Sequence, residues 1–124
     1  MAWYPVIFNN GGGGTEIDDV LTDGVISDGV AYTTATFNDI SSYKWLALRV
    51  RFSENGVDYA FYALIDVAVI PASGEYTFDI DTKLSFIYAI SLAMSKTSIR
   101  STQYSGAWRY IYADIRGIKD DIWQ

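Results

Sequence analysis

Histidine and cysteine are both missing from this 124-residue chain. Without cysteine there is no disulfide, no thiolate nucleophile and no zinc–thiolate site, and redox compartment leaves no trace in the sequence. Without histidine, imidazole drops out of general acid–base chemistry, and with it the commonest side-chain ligand for zinc, copper and iron. The serines therefore lack their usual activating base, and the lysines, Lys44, Lys83, Lys96 and Lys119, are scattered. Positive charge is scarce too: nine basic against fifteen acidic residues give a net charge of −6. A phosphate backbone would meet net repulsion, so nucleic acid is not expected as a partner. Long apolar runs are also lacking, since the longest, over residues 59–72, is interrupted by Asp66 and falls short of the roughly 20 residues that a bilayer-spanning helix needs. No membrane insertion is expected. The opening Met1-Ala2-Trp3-Tyr4-Pro5 has neither the basic start nor the long apolar stretch of a secretory signal, which reads as a chain that starts in a cytoplasm or has been trimmed.

Aromatic and apolar residues are what the chain does have. Ten Tyr, six Phe and four Trp accompany many Val, Ile and Thr, and half of all residues are hydrophobic. That composition suits pleated, half-buried surfaces more than helices, and the length fits one domain with a sizeable core. The clearest local signal is Asn55-Gly56 between two apolar-rich runs spanning residues 44–69. Both residues tolerate the positive φ of a type I′ turn, so the stretch reads as a hairpin with Glu54 facing Val57. The register then sets Phe52 opposite Tyr59, Val50 opposite Phe61, Leu48 opposite Ala63 and Leu46 opposite Ile65 on one apolar face. The other face pairs Arg51 with Ala60, Arg49 with Tyr62, Ala47 with Leu64 and Trp45 with Asp66.

Around this hairpin the remaining segments read as further short strands. Residues 30–37, 75–80, 84–94, a weaker run over 97–104 and a closing run over 108–118 carry β-branched or period-two patterns. Gly117 is expected to end or bulge the last of them. In the closing run, Ile111, Ala113 and Ile115 fall on one face, with Trp108, Tyr110, Tyr112 and Asp114 on the other. Seven to nine short strands with turns between them predict an all-β antiparallel sandwich or jelly roll over residues 16–124. Ahead of it, Trp3 to Phe8, broken by Pro5, and Gly11-Gly12-Gly13-Gly14 read as an arm and a glycine-rich hinge over residues 1–15.

Three chemical readings compete with plainer ones. The glycine run is no phosphate-binding loop, because Thr15-Glu16 stands where Lys-Ser/Thr is required. The acids of residues 16–28 miss a calcium-loop pattern at Leu21 and read as two Asp-Gly turns flanking a Val25-Ile26 strand, with an opportunistic divalent cation as the alternative. Asp79 and Asp81 lie two apart and would share a strand face, as a glycosidase pair requires, but a solvated strand position for Asp79 and a turn starting at Asp81-Thr82 are the preferred reading. No enzyme and no cofactor are expected.

The aromatics on the non-core faces suggest a binding surface instead. Trp45, Arg49, Tyr62, Trp108, Tyr110 and Tyr112 are the contact candidates, because exposed Tyr, Trp and Arg concentrate at interfaces and on sugar-stacking platforms; packing on a second sheet is the plainer alternative. Segments 39–48 (Asp-Ile-Ser-Ser-Tyr-Lys-Trp-Leu-Ala-Leu) and 106–119 (Gly-Ala-Trp-Arg-Tyr-Ile-Tyr-Ala-Asp-Ile-Arg-Gly-Ile-Lys) resemble strand-opening and strand-closing phrases of tailed-bacteriophage virion proteins. That resemblance covers residues 30–119 and carries no catalytic residue. It implies a fibre, baseplate or capsid-surface module located in the virion, homotrimeric for preference, that contacts other virion proteins or a host-surface glycan. A carbohydrate-binding module using exposed Trp and Tyr is the alternative.

Overall fold

Residues 17–87, 89–102 and 109–120 are described by the structure, a computed structural model. Its strands are β1 (Ile17–Asp28), β2 (Thr34–Thr36), β3 (Trp45–Glu54), β4 (Val57–Asp66), β5 (Tyr76–Asp81), β6 (Ala89–Met94), β7 (Ser98–Ser101) and β8 (Tyr110–Ile118). They form two four-stranded sheets, ordered β1-β8-β3-β4 and β2-β7-β6-β5, with every pairing antiparallel. The chain is therefore an all-β antiparallel sandwich.

The β3–β4 hairpin has the register that its turn demands: Glu54 pairs with Val57, and the ladder runs without a slip to Trp45 and Asp66. Asn55 (φ 52°) and Gly56 (φ 79°) both adopt the left-handed conformation, which matches the turn to the strand twist. Leu46, Leu48, Val50 and Phe52 point inward and are buried. Facing them across the sandwich lie Ile80, Ile90, Leu92, Met94 and Ile99, with Ile111, Ala113 and Ile115 adding the inner face of β8. A one-residue slip would exchange this apolar row for Arg49 and Arg51, so the core fixes the register as firmly as the turn does.

Several segments depart from the periodicity reading, each for a local reason. The Val25-Ile26 strand is part of one long strand over Ile17–Asp28, and of the two Asp-Gly turns expected around it the first does not form. β1 pairs with β8 along its length through three register shifts, and Asp23 (φ 55°) sits in one of them. A bulge absorbs surplus residues without ending the ladder, so Asp23-Gly24 stays in the strand. The Asp28-Gly29 turn does form: Asp28 Oδ1 accepts from the Val30 and Ala31 amides at 2.9 and 2.8 Å, and Gly29 takes φ 86°. Residues 30–37 shrink to the three of β2, with Val30 left 88% exposed.

The strand expected over 84–94 begins only at Ala89. Ahead of it Thr82 Oγ1 donates to the Ile87 carbonyl and accepts from the Leu84 amide, and Lys83 is left-handed at φ 59°. These local bonds break the pleat and reset its parity, burying Ile87 and turning Phe86 outward. Gly117 neither ends nor bulges β8, which continues to Ile118 in unbroken register with β3. The arm and hinge of residues 1–15, Tyr88, Trp108 and the turn over 103–106 lie outside the described residues.

Candidate functional site

The register of β3 with both neighbours maps the outer face of its sheet row by row. Nearest the Asn55-Gly56 turn, Ser53 faces Asp58, and Tyr110 opens β8 beside them. In the next row Tyr112, Arg51 and Ala60 lie side by side, followed by Asp114, Arg49 and Tyr62, then Arg116, Ala47 and Leu64, and finally Ile118, Trp45 and Asp66.

Asp114 is the electrostatic centre of this face. Its Oδ2 accepts from Arg51 Nε at 2.7 Å and Arg49 Nε at 3.1 Å, and its Oδ1 from the Asp23 amide at 2.9 Å. Arg51 also reaches the Asp23 carboxylate. The β1 bulge thus has a use, because it carries Asp23 to a point where both its amide and its side chain join the cluster. Burial pushes the Asp114 carboxyl up, but the hydrogen bonds from Arg51, the Asp23 amide and Arg49, with the Arg51 charge, outweigh it and hold the group below the ordinary aspartate value. With side-chain exposure of only 13% for Asp114, the cluster fixes both arginines in place.

Arg51 then carries the aromatics. Its guanidinium lies 5.0 Å from the Tyr112 ring centroid, and Tyr110 stacks on Tyr112 at 6.2 Å with 16° between the planes. Tyr110 is 55% exposed. The strip borders an open groove of about 680 Å³ whose lining includes Ser53, Asp58, Ala60 and Tyr110. A smaller cavity of about 150 Å³ lies beyond Asp114, between Asp19, Arg49, Tyr62 and Arg116.

At the groove's inner end sits a pair that periodicity did not single out. Arg109 is 4% exposed, its Nε and Nη2 each 3.3 Å from a Glu54 carboxylate oxygen, and its guanidinium lies 5.5 Å from both the Phe52 and Phe86 centroids. The sequence did hold a signal. Arg109 shares the inward parity of Ile111, and Glu54 that of Phe52. Since Phe52 pairs with Ile111, the next inward position sets Glu54 against Arg109.

The contact candidates thus separate into three groups. Arg49, Tyr110 and Tyr112 join the Asp114 strip, and Tyr62 adjoins it as the register partner of Arg49. Trp45 lies at the far end, half-buried against Ile17, Ala47, Leu64 and Ile118 in a small second cluster. Trp108 lies outside the described residues. Asp79 and Asp81 are exposed on β5, an edge strand of the opposite sheet, and Asp81 is occupied in the turn, accepting from the Lys83 amide at 2.9 Å. Among the described residues no group of three or more acidic side chains is placed to hold a metal ion, and no helix is long and apolar enough to cross a membrane.

No family model, curated protein or solved structure matches the chain at a significant level.

Proposed function

We propose that the chain is a non-enzymatic attachment module that associates with copies of itself and offers the outer face of the β1-β8-β3-β4 sheet to a partner surface. The observation that carries this reading is the strip in which exposed Tyr110 stacks on half-buried Tyr112 and Arg51, held in one arrangement by Asp114 and Asp23. Tyr and Arg lose little conformational freedom on binding when already stacked and hydrogen-bonded, which is how preorganised surfaces gain affinity. The likeness of segments 39–48 and 106–119 to tailed-phage proteins supplies the setting: a fibre, baseplate or capsid-surface position in a virion. Light scattering in the micromolar range is expected to give a mass above that of one chain, and a strict monomer would contradict the reading.

A second reading, that of a sugar-stacking platform, is favoured by one specific feature. The near-parallel Tyr110 and Tyr112 rings adjoin a groove edged by the Ser53 hydroxyl and the Asp58 carboxylate, the mixture of flat apolar faces and oxygen acceptors that a sugar ring matches. A glycan array probed with the unmodified chain and with Tyr110→Ala tests it. Hits that vanish in the variant support the platform, and an array without hits removes it.

A further inference from the structure

Every arginine beside the larger groove already faces an acid. Arg51 is shared between Asp114 and Asp23, Arg49 meets the same Asp114, and Arg109 lies against Glu54. Asp58 is the exception among the carboxylates. It accepts the Ser53 hydroxyl, and among the described residues no cationic side chain lies within ion-pair reach of it. Three arginines against the four acids Asp23, Glu54, Asp58 and Asp114 thus leave one negative charge over, and it sits at Asp58.

The register places that charge across the groove from the exposed tyrosine. Ser53 faces Asp58 on β4, and one residue beyond the Phe52–Ile111 pair, on the other side of β3, stands Tyr110. Asp58 and Tyr110 therefore flank the small Ser53 from two neighbouring strands, about 10 Å apart at their Cα atoms, which is two strand spacings. In the next row Arg51 reaches away from β4, over Tyr112 and toward Asp114 and Asp23, and the small Ala60 leaves the β4 side low. All of these residues but the two acids that hold Arg51 line the open groove of about 680 Å³. It is a slot with a tyrosine wall, a floor of Ser53 and Ala60, and a carboxylate on the opposite rim.

We propose that this slot receives a lysine or arginine side chain of the partner surface, its methylene stem against the Tyr110 ring and its charged head at Asp58. The stem of such a side chain packs on apolar surface while its head stays polar, and the face of a tyrosine ring attracts a cation within about 6 Å. Charge complementarity selects this occupant. An anion would meet only arginines that acids already hold, and a neutral sugar would leave the Asp58 charge uncompensated, whereas a cation removes the surplus. The chain's net charge of −6 also draws a basic surface toward it and raises the rate of encounter. The inference rests on the reading that this sheet face meets a partner, and it adds the chemistry of the group that the partner must offer.

An NMR titration of the full chain with N-acetyl-arginine methylamide tests it, beside the citrulline analogue, which has the same shape without the charge, and methyl β-glucoside. The arginine probe is expected to shift the amides of Ser53, Asp58, Tyr110 and Tyr112, and the citrulline probe to shift them far less. Asp58→Asn keeps an acceptor for the Ser53 hydroxyl and is expected to weaken arginine binding by up to about five-fold, the reach of one exposed ion pair. Tyr110→Ala is expected to weaken it by about two- to five-fold, the range of an exposed cation–π contact. Asp79→Asn, which removes the same charge from the opposite sheet, should change nothing. Should either groove variant disturb folding, the arginine–citrulline comparison on the unmodified chain still decides. Equal shifts from the two probes overturn the proposal, as does an equal loss in Asp79→Asn, which would mean attraction to net charge alone. Larger shifts from the glucoside than from arginine also overturn it, in favour of the sugar platform. Association in light scattering with a groove that ignores arginine removes the cation slot and leaves the attachment reading standing, and a strict monomer whose groove responds does the reverse.

Discussion

Asp114 accepts from three residues at once, so its loss leaves Arg49 and a bulge amide without this acceptor and Arg51 with the Asp23 carboxylate alone. Asp114→Asn is expected to cost about 1.5–3 kcal/mol, the range for hydrogen bonds to a charged group, measured as a lower urea midpoint, and to weaken any binding that needs Arg51 in place. The sign of the pH dependence follows from the same chemistry. Hydrogen bonding from Arg100 lowers the Glu75 carboxyl, and turn amides lower Asp28 and Asp81, as the cluster lowers Asp114. Each group ionises more readily folded than unfolded. Its contribution is therefore complete above the unfolded value near 4 and disappears as pH falls through the lower folded one. Stability should stay nearly level from about pH 5 to 8, where no histidine titrates, and fall below about pH 4; Asp114→Asn should flatten that fall. Gly117 meets a different constraint, because a Cβ there would lie 2.6 Å from the Tyr43 ring. Gly117→Ala should cost on the order of 1–3 kcal/mol by overpacking. Tyr43→Ala in the same chain should remove that increment, so that the two effects are not additive.

Among the elements, the β3–β4 hairpin was readable down to its pairs because a two-residue turn and a period-two core specify the same register. Gly56→Ala tests the turn alone. With φ at +79° and nothing within 4 Å of an added Cβ, the expected loss of about 1 kcal/mol is purely conformational. β1 was not readable. Its length depends on pairing with β8, some ninety residues away, and its bulge at Asp23-Gly24 mimics the punctuation of a turn. The 84–94 segment misled for the opposite reason: its alternation continues through residues that Thr82 and Lys83 pull out of the pleat. The outer-face candidates Arg49, Tyr110 and Tyr112 were found by parity. Their organiser Asp114 was assigned to the right face, but its partners depend on β8 lying next to β3, which no local pattern announces. Arg109 and Glu54 show the same limit. Arg109→Ala should cost about 3–5 kcal/mol by leaving Glu54 partly buried without its cation, and replacing both residues with apolar ones of similar volume should recover much of the loss in thermal unfolding.

For the molecule as a whole, composition and turn spacing were enough for an all-β sandwich, because few other architectures bury so many short apolar strands. What the sandwich meets was not written there, since no periodicity distinguishes a face that binds from one that is merely solvated. The geometry offers one candidate surface: the sheet that carries Tyr110, Tyr112 and Arg51 stacked on one another and tied to Asp114. The proposed role in association rests on that strip. Sedimentation equilibrium of the unmodified chain across the micromolar range tests this most directly. A mass above that of a single chain that rises with concentration is expected, and a single-chain mass at every concentration would contradict the proposed association.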